Sequence, residues 1–167
     1  YKIKHEIGEY GRSTTLLLYT TIMAALVKRA CGKLAYNKFV PDFAYSAKKQ
    51  FVRGLLQAYF DGDGNISVSR KVIRASSCSK ELIDGIALLL SEFGIFAVKS
   101  RTTRNQYTLS ISYRYAKQFS DEIGLVIEYK KKSIEALSAI KEADKSYDII
   151  EMAVGFGSVL SEAGRKL

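Results

Sequence analysis

The chain has 167 residues, enough for one domain or one and a fraction. Apolar residues make up 47% and charged residues 26%, which supports a buried core and excludes a mainly disordered chain. Lys and Arg number 26 against 17 Asp and Glu, and the resulting charge of +9 favours a polyanionic partner, nucleic acid first.

In chain order, residues 1 to 19 read as two strands around a turn punctuated by Gly8 and Gly11. Thr21 to Arg29 reads as a helix with Gly32 just past its end. Lys38-Phe39-Val40-Pro41 is extended, because Pro41 biases Val40 away from helix. Ser46 is the expected N-cap of a helix to Phe60, with Val52, Leu55, Leu56, Tyr59 and Phe60 at helical spacing. Two glycines in Asp61-Gly62-Asp63-Gly64 are expected to stop it. A strand pair follows, Asn65 to Arg70 and Val72 to Ser77, then an amphipathic helix from Lys80 to Phe93 ended by Gly94. Two more strands, Ile95 to Thr102 and Gln106 to Tyr113, precede a short helix from Tyr115 to Ile123 and another from Lys130 to Ala143. The tail is expected to be partly helical. The whole is an α+β pattern with an antiparallel sheet. It divides into a partial unit (1–45), a complete unit (46–143) and a C-terminal linker or partial helix (144–167).

An internal repeat underlies that division. Thr15-Leu16-Leu17-Leu18-Tyr19 resembles Thr108-Leu109-Ser110-Ile111-Ser112-Tyr113 with one residue inserted. A short helix follows each, ending at Gly32 and Gly124. Lys38 and Lys130 stand six residues after those glycines, each with a tyrosine nearby. The front of the chain reads as the second half of a unit whose complete copy follows.

Charge is unevenly placed. Arg70, Lys71 and Arg74 occupy the first strand pair, and Lys99, Arg101, Arg104, Arg114 and Lys117 lie along the second, without one acid. The acids Glu81, Asp84 and Glu92 sit on the helix between. In the last strand Leu109 and Ile111 alternate with Thr108, Ser110 and Ser112. A solvated sheet face is the ordinary outcome of such alternation. One that is cationic and acid-free suits a phosphate backbone instead. Candidate DNA contacts are Ser67, Ser69, Arg70, Lys71, Arg74, Lys99, Arg101, Arg104, Thr108, Ser110, Ser112 and Arg114. The tyrosines share parity with the apolar residues, which disfavours a single-strand stacking platform.

Asp61-Gly62-Asp63-Gly64-Asn65 fails as an EF-hand loop, whose sixth and twelfth positions here hold Ile66 and Val72. It reads either as an ordinary helix-ending turn or as carboxylates holding a hard divalent cation for phosphodiester chemistry. Gly54, Ala58 and Gly62, at i, i+4 and i+8, face either a close-packed second helix or the local core. Cys31, Cys78 and the lone His5 exclude a zinc finger, and the two thiols read as reduced, fitting an intracellular protein of cytoplasm or nucleoid. No run of 18 apolar residues predicts a membrane span.

Residues Gly54 to Gly64, with the lead-in Asn37 to Phe43 and Phe51 to Gly54, resemble the signature of LAGLIDADG homing endonucleases of the intein-encoded type, at its second motif. The resemblance covers roughly residues 13 to 141. It implies αββαββα units with saddle-shaped antiparallel sheets that straddle double-stranded DNA and read a long site. It implies site-specific, Mg2+-dependent double-strand cleavage, with Mn2+ as a substitute. Asp63 would bind the metal beside the Gly62 carbonyl, and Asp61 would serve the helix end. Lys130, with Lys131 as a register rival, and Lys38 of the partial unit would position or activate water or stabilise charge. The first helix and strand pair of the first unit, with the other catalytic acid, do not occur. The splicing nucleophile and His-Asn end do not occur either. The chain reads as a fragment whose cleavage needs the upstream part or a second copy. The rival reading on this scaffold is a non-cleaving DNA-binding regulator or RNA maturase.

Overall fold

A computed structural model describes residues 4–10, 13–102 and 106–140, with side chains from residue 19 onward. Strands β1 (Lys4–Tyr10) and β2 (Ser13–Tyr19) form a separate antiparallel hairpin. Helix α1 (Thr21–Cys31) follows, N-capped by Thr20, whose hydroxyl accepts from the Met23 amide. Its apolar residues Ile22, Met23, Leu26 and Val27 are exposed. Gly32 ends it at φ +79°, and the equivalent Gly124 adopts φ +67° after its own helix. Both helix ends thus use a glycine at positive φ, where the backbone favours a residue without Cβ.

The linker turns at Pro41 into a 3-10 turn, Asp42–Ser46. Helix α2 (Lys49–Asp63) is capped by Lys48, not Ser46, whose hydroxyl instead donates back to the Phe43 carbonyl. It also runs through Gly62 to Asp63 rather than stopping at Asp61. A helical glycine costs only about 1 kcal/mol, and the packing of Leu56 and Phe60 outweighs it.

Strands β3 (Gly64–Ser67) and β4 (Val72–Ser77) are joined by a turn with Lys71 at φ +53°. Helix α3 (Lys80–Ser91) leads to β5 (Ala97–Arg101) and β6 (Tyr107–Ser112). A 3-10 turn at Tyr113–Tyr115, α4 (Ala116–Glu122) and α5 (Glu128–Ser138) complete the described chain. The sheet order is β3-β4-β6-β5, antiparallel throughout. The expected αββαββα order is present, with shorter strands. The partial helix expected in the tail lies outside the described residues.

The core lies between the sheet and the helices. Ile73, Ala75, Leu109 and Ile111 face Leu56, Phe60, Ile86, Leu89 and Phe119, all at most 2% exposed. The Phe60 and Phe119 rings meet edge to face at 5.0 Å. Ser79 ties the linker to this body: its hydroxyl accepts from the Leu82 amide as the cap of α3 and donates to the Lys38 carbonyl. Gly85 admits the linker, since a Cβ there would lie 2.6 Å from the Tyr45 hydroxyl and 2.7 Å from a Val40 methyl.

Candidate nucleic-acid interface and metal centre

The last turn of α2 and the first turn of α5 fasten each other. The Asp61 carboxylate accepts from the Val126 amide (3.0 Å) and the Ile127 amide (3.1 Å), just where α5 has amides without helical partners. In return the Lys130 ammonium donates to the Phe60 carbonyl (2.9 Å) and the Asp61 carbonyl (2.6 Å), at the carbonyl-rich end of α2. Asp61 therefore serves the helix end, as anticipated. Lys130 is 4% exposed, and its burial lowers its pKa, with the charges of Asp61 and Asp63 opposing the shift. Lys131 is exposed, and Lys130 is the one that meets the α2 carbonyls.

Asp63 is what this clasp leaves over. It is exposed, and its carboxylate has no hydrogen bond or ion pair among the described residues. A Cβ on Gly62 would meet nothing within 4 Å, so the approach to Asp63 is open. Asp63 and the carbonyls of the last turn form a hard-oxygen donor set, of the kind that takes Mg2+ together with waters and substrate phosphate. No cluster of three His, Cys, Asp or Glu exists among the described residues. Among the described residues this corner therefore offers the single free carboxylate of Asp63. Tyr59, one turn earlier, was not foreseen as part of this corner. Its hydroxyl is buried without a partner, and burial, then the Asp63 charge, raise its pKa to about 12.

Lys38 is not brought into an equivalent position. It is exposed on the linker, and its ammonium has no hydrogen bond or ion pair among the described residues. Lys130 reaches a helix end because it begins a helix packed there, whereas Lys38 precedes Pro41 and a 3-10 turn. The two glycines thus share a positive φ, while the two lysines sit in different surroundings.

The ladder register assigns the sheet faces. Ile66, Ile73, Ala75, Leu109, Ile111 and Ala97 share the helix side. Asn65, Ser67, Arg74, Ser76, Val98, Ser100, Thr108, Ser110 and Ser112 share the open side, with no acid among them. Ser69, Arg70 and Lys71 sit in the β3–β4 turn at its rim, with the Lys71 ammonium 5.4 Å from the Tyr113 ring centre.

Three expected contacts are corrected. Lys99 pairs across from Leu109, which puts it on the helix side, where its ammonium meets Asp84 of α3 at 2.7 Å. Arg101 pairs across from Tyr107 on that same side, its guanidinium 5.9 Å from the ring centre. Arg114 lies beyond β6 in the 3-10 turn and donates to the Tyr115 hydroxyl at 2.9 Å. Arg104 lies outside the described residues. Ser76, Val98 and Ser100 were missed as face residues. Their signal was parity with Arg74, Ser110 and Thr108, which only the register makes visible.

A family model for LAGLIDADG-like domains matches residues 50–124, the segment that runs from α2 through the four-stranded sheet and α3 to α4. The chain carries a LAGLIDADG-like domain. It is similar in fold to the homing endonuclease I-DmoI in the crystal structure of its complex with DNA and Mn (TM-score 0.55, 16% identity, 74% of this chain and 64% of that one). The fold of mesophilic variants of I-DmoI is similar too (TM-score 0.58, 15% identity, 74% and 63%). In sequence, the LAGLIDADG-bearing chain is 43% identical over 172 residues to DNA-directed RNA polymerase subunit Rpo1C of Methanocaldococcus jannaschii, covering 99% of this chain and 20% of that protein. A probable translation initiation factor IF-2 of the same organism is 29% identical over 142 residues (78% and 12%). A DNA polymerase of Thermococcus sp. is 34% identical over 87 residues (52% and 5%). The chain therefore spans a fifth or less of each of these relatives.

Proposed function

We propose that the chain is the endonuclease portion of an intein, a site-specific module that hydrolyses phosphodiesters in double-stranded DNA. The observation that carries the reading is Asp63, an open, unpartnered carboxylate at the end of the motif helix, one residue from the acid-free sheet face. The relatives support the intein origin. An RNA polymerase subunit, an initiation factor and a DNA polymerase have different tasks, yet each shares this small fraction of its length. An insert that moves between hosts explains that distribution. The domain plan follows: residues 1–45 as the second half of one repeat, 46–143 as a complete repeat and 144–167 as a C-terminal linker or partial helix. The working place is inside the cell, on the chromosome.

In this reading Asp63 and the Gly62 carbonyl would hold Mg2+, or Mn2+ in its place. Bound there, a divalent ion activates water and balances charge on the phosphate. Asp61 and Lys130 hold the end of α2 at a fixed angle, so that Asp63 is preorganised. Lys130 has spent two of its three N–H groups on carbonyls and keeps a third. Lys38 would join through the other repeat. The open sheet face would track the groove, with Arg70 and Lys71 on phosphates. A second carboxylate site would come from the upstream half-unit or a second copy of the chain.

The test is selection from a random duplex pool in calcium, followed by a switch to magnesium. Enrichment of one long site and cutting only after the switch are expected. Asp63→Asn should keep the site and lose the cutting. Binding without cutting, even with the upstream residues restored, would leave a non-cleaving DNA-binding protein.

A further inference from the structure

The open face is organised in rows across the strands. Asn65, Arg74, Ser110 and Val98 stand opposite one another through all four strands. On one side of this row lie Ser76, Thr108 and Ser100, and on the other Ser67, Val72 and Ser112. The flanking rows hold hydroxyls and a buried valine, and the Ser76 and Thr108 hydroxyls are 3.0 Å apart, bonded to each other. A hydroxyl both donates and accepts, so it discriminates weakly between bases. The middle row carries the groups that discriminate strongly: a guanidinium for guanine, a carboxamide for adenine and an exposed apolar group for the thymine methyl.

Arg74 is at the centre of that row, on the inner strand β4. It is half-buried, its Nε is enclosed without an acceptor, and it makes no hydrogen bond or ion pair with any described residue. Other cations are matched elsewhere: Lys80 and Lys99 with Asp84, Lys49 and Arg53 with Glu122, Lys117 with Asp121. A backbone-tracking cation sits on an exposed rim, as Arg70 and Lys71 do. Arg74 is instead half-buried with its Nε enclosed, on a face with no acid to compete for it. Enclosure of the stem restricts where the guanidinium can point, and restricted direction favours a bidentate base contact over a phosphate contact.

We propose that Arg74 is the specificity-determining residue of this sheet, reading the edge of one guanine in the major groove. The proposal rests on the duplex-DNA reading above and adds to it which residue reads sequence. The experiment measures affinity in calcium for the enriched site and each of its single base-pair variants. The proteins are wild type, Arg74→Ala, Arg74→Met (which keeps the packed stem) and Arg70→Ala. Wild type should discriminate about 10- to 100-fold at one G·C pair. Both Arg74 variants should erase that preference and keep the others, while Arg70→Ala weakens every variant by one common factor. Uniform weakening by the Arg74 variants would make Arg74 a phosphate contact and overturn the proposal, as would an unchanged profile. A wild type that enriches no duplex would overturn the DNA reading itself, and this assignment with it.

Discussion

Tyr59 stands one helical turn before Asp63 on α2, and that spacing makes its phenol a reporter of the carboxylate. Burial is the larger cause of its raised pKa and the Asp63 charge the second. In the unfolded chain the phenol ionises near the ordinary value of 10, while the folded protein holds the proton to about 12. Stability from the neutral phenol is therefore complete below pH 10 and lost as pH rises toward 12. Tyr59→Phe has no proton to lose there. The stability difference between wild type and Tyr59→Phe should move against wild type above pH 10, as read by melting temperature across an alkaline series. Asp63→Asn should lower the pH at which Tyr59 ionises, read as the phenolate absorbance that Tyr59→Phe removes. A Tyr59 titration indifferent to Asp63→Asn would separate the two groups.

At the scale of elements, the clasp between α2 and α5 is the feature that places Asp63. Asp61→Ala removes a carboxylate from two amides and should cost about 1–2 kcal/mol. Lys130→Met removes donors from two carbonyls and should cost about 1–3 kcal/mol. Because both groups fasten the same two helix ends, a double-mutant cycle by urea unfolding should show coupling of at least about 0.5 kcal/mol. Strict additivity would mean that the two contacts hold independently. Asp61 was readable in sequence as a helix-end residue, because the motif places it there. The partner amides at Val126 and Ile127 were not, since 65 residues separate them from it. Helices α2 and α3 were legible for a simple reason: a run such as Leu82, Ile83, Ile86, Leu89 and Leu90 suits only a helix with one buried face. Strand faces were harder. Charge alone selected Lys99 and Arg101, but β5 has only Ala97 to mark its inner side, and pairing with β6 decides the face. Gly62 misled for another reason, since the modest propensity cost of a glycine yields to the packing of a whole helix.

For the whole molecule, Gly54 gives a test of whether a second helix packs against α2. The stripe Gly54, Ala58 and Gly62 faces outward, and a Cβ on either glycine would meet nothing within 4 Å. The local-core alternative for these residues is thereby removed. In the chain alone, Gly54→Ala should raise stability by about 0.5–1 kcal/mol, because a helical glycine only adds entropy to the unfolded state. Gly54→Trp should leave the isolated fold intact, as the space outside is open. If α2 works against an equivalent helix, the close approach that small residues permit is what Trp would block. Cleavage by the assembled enzyme should then fall to background, while the melting temperature of the chain alone stays within a few degrees and the sheet keeps its charge. A Gly54→Trp protein that cuts as well as wild type would show that no helix packs on this stripe during catalysis. Asp63 would then need its second carboxylate from elsewhere.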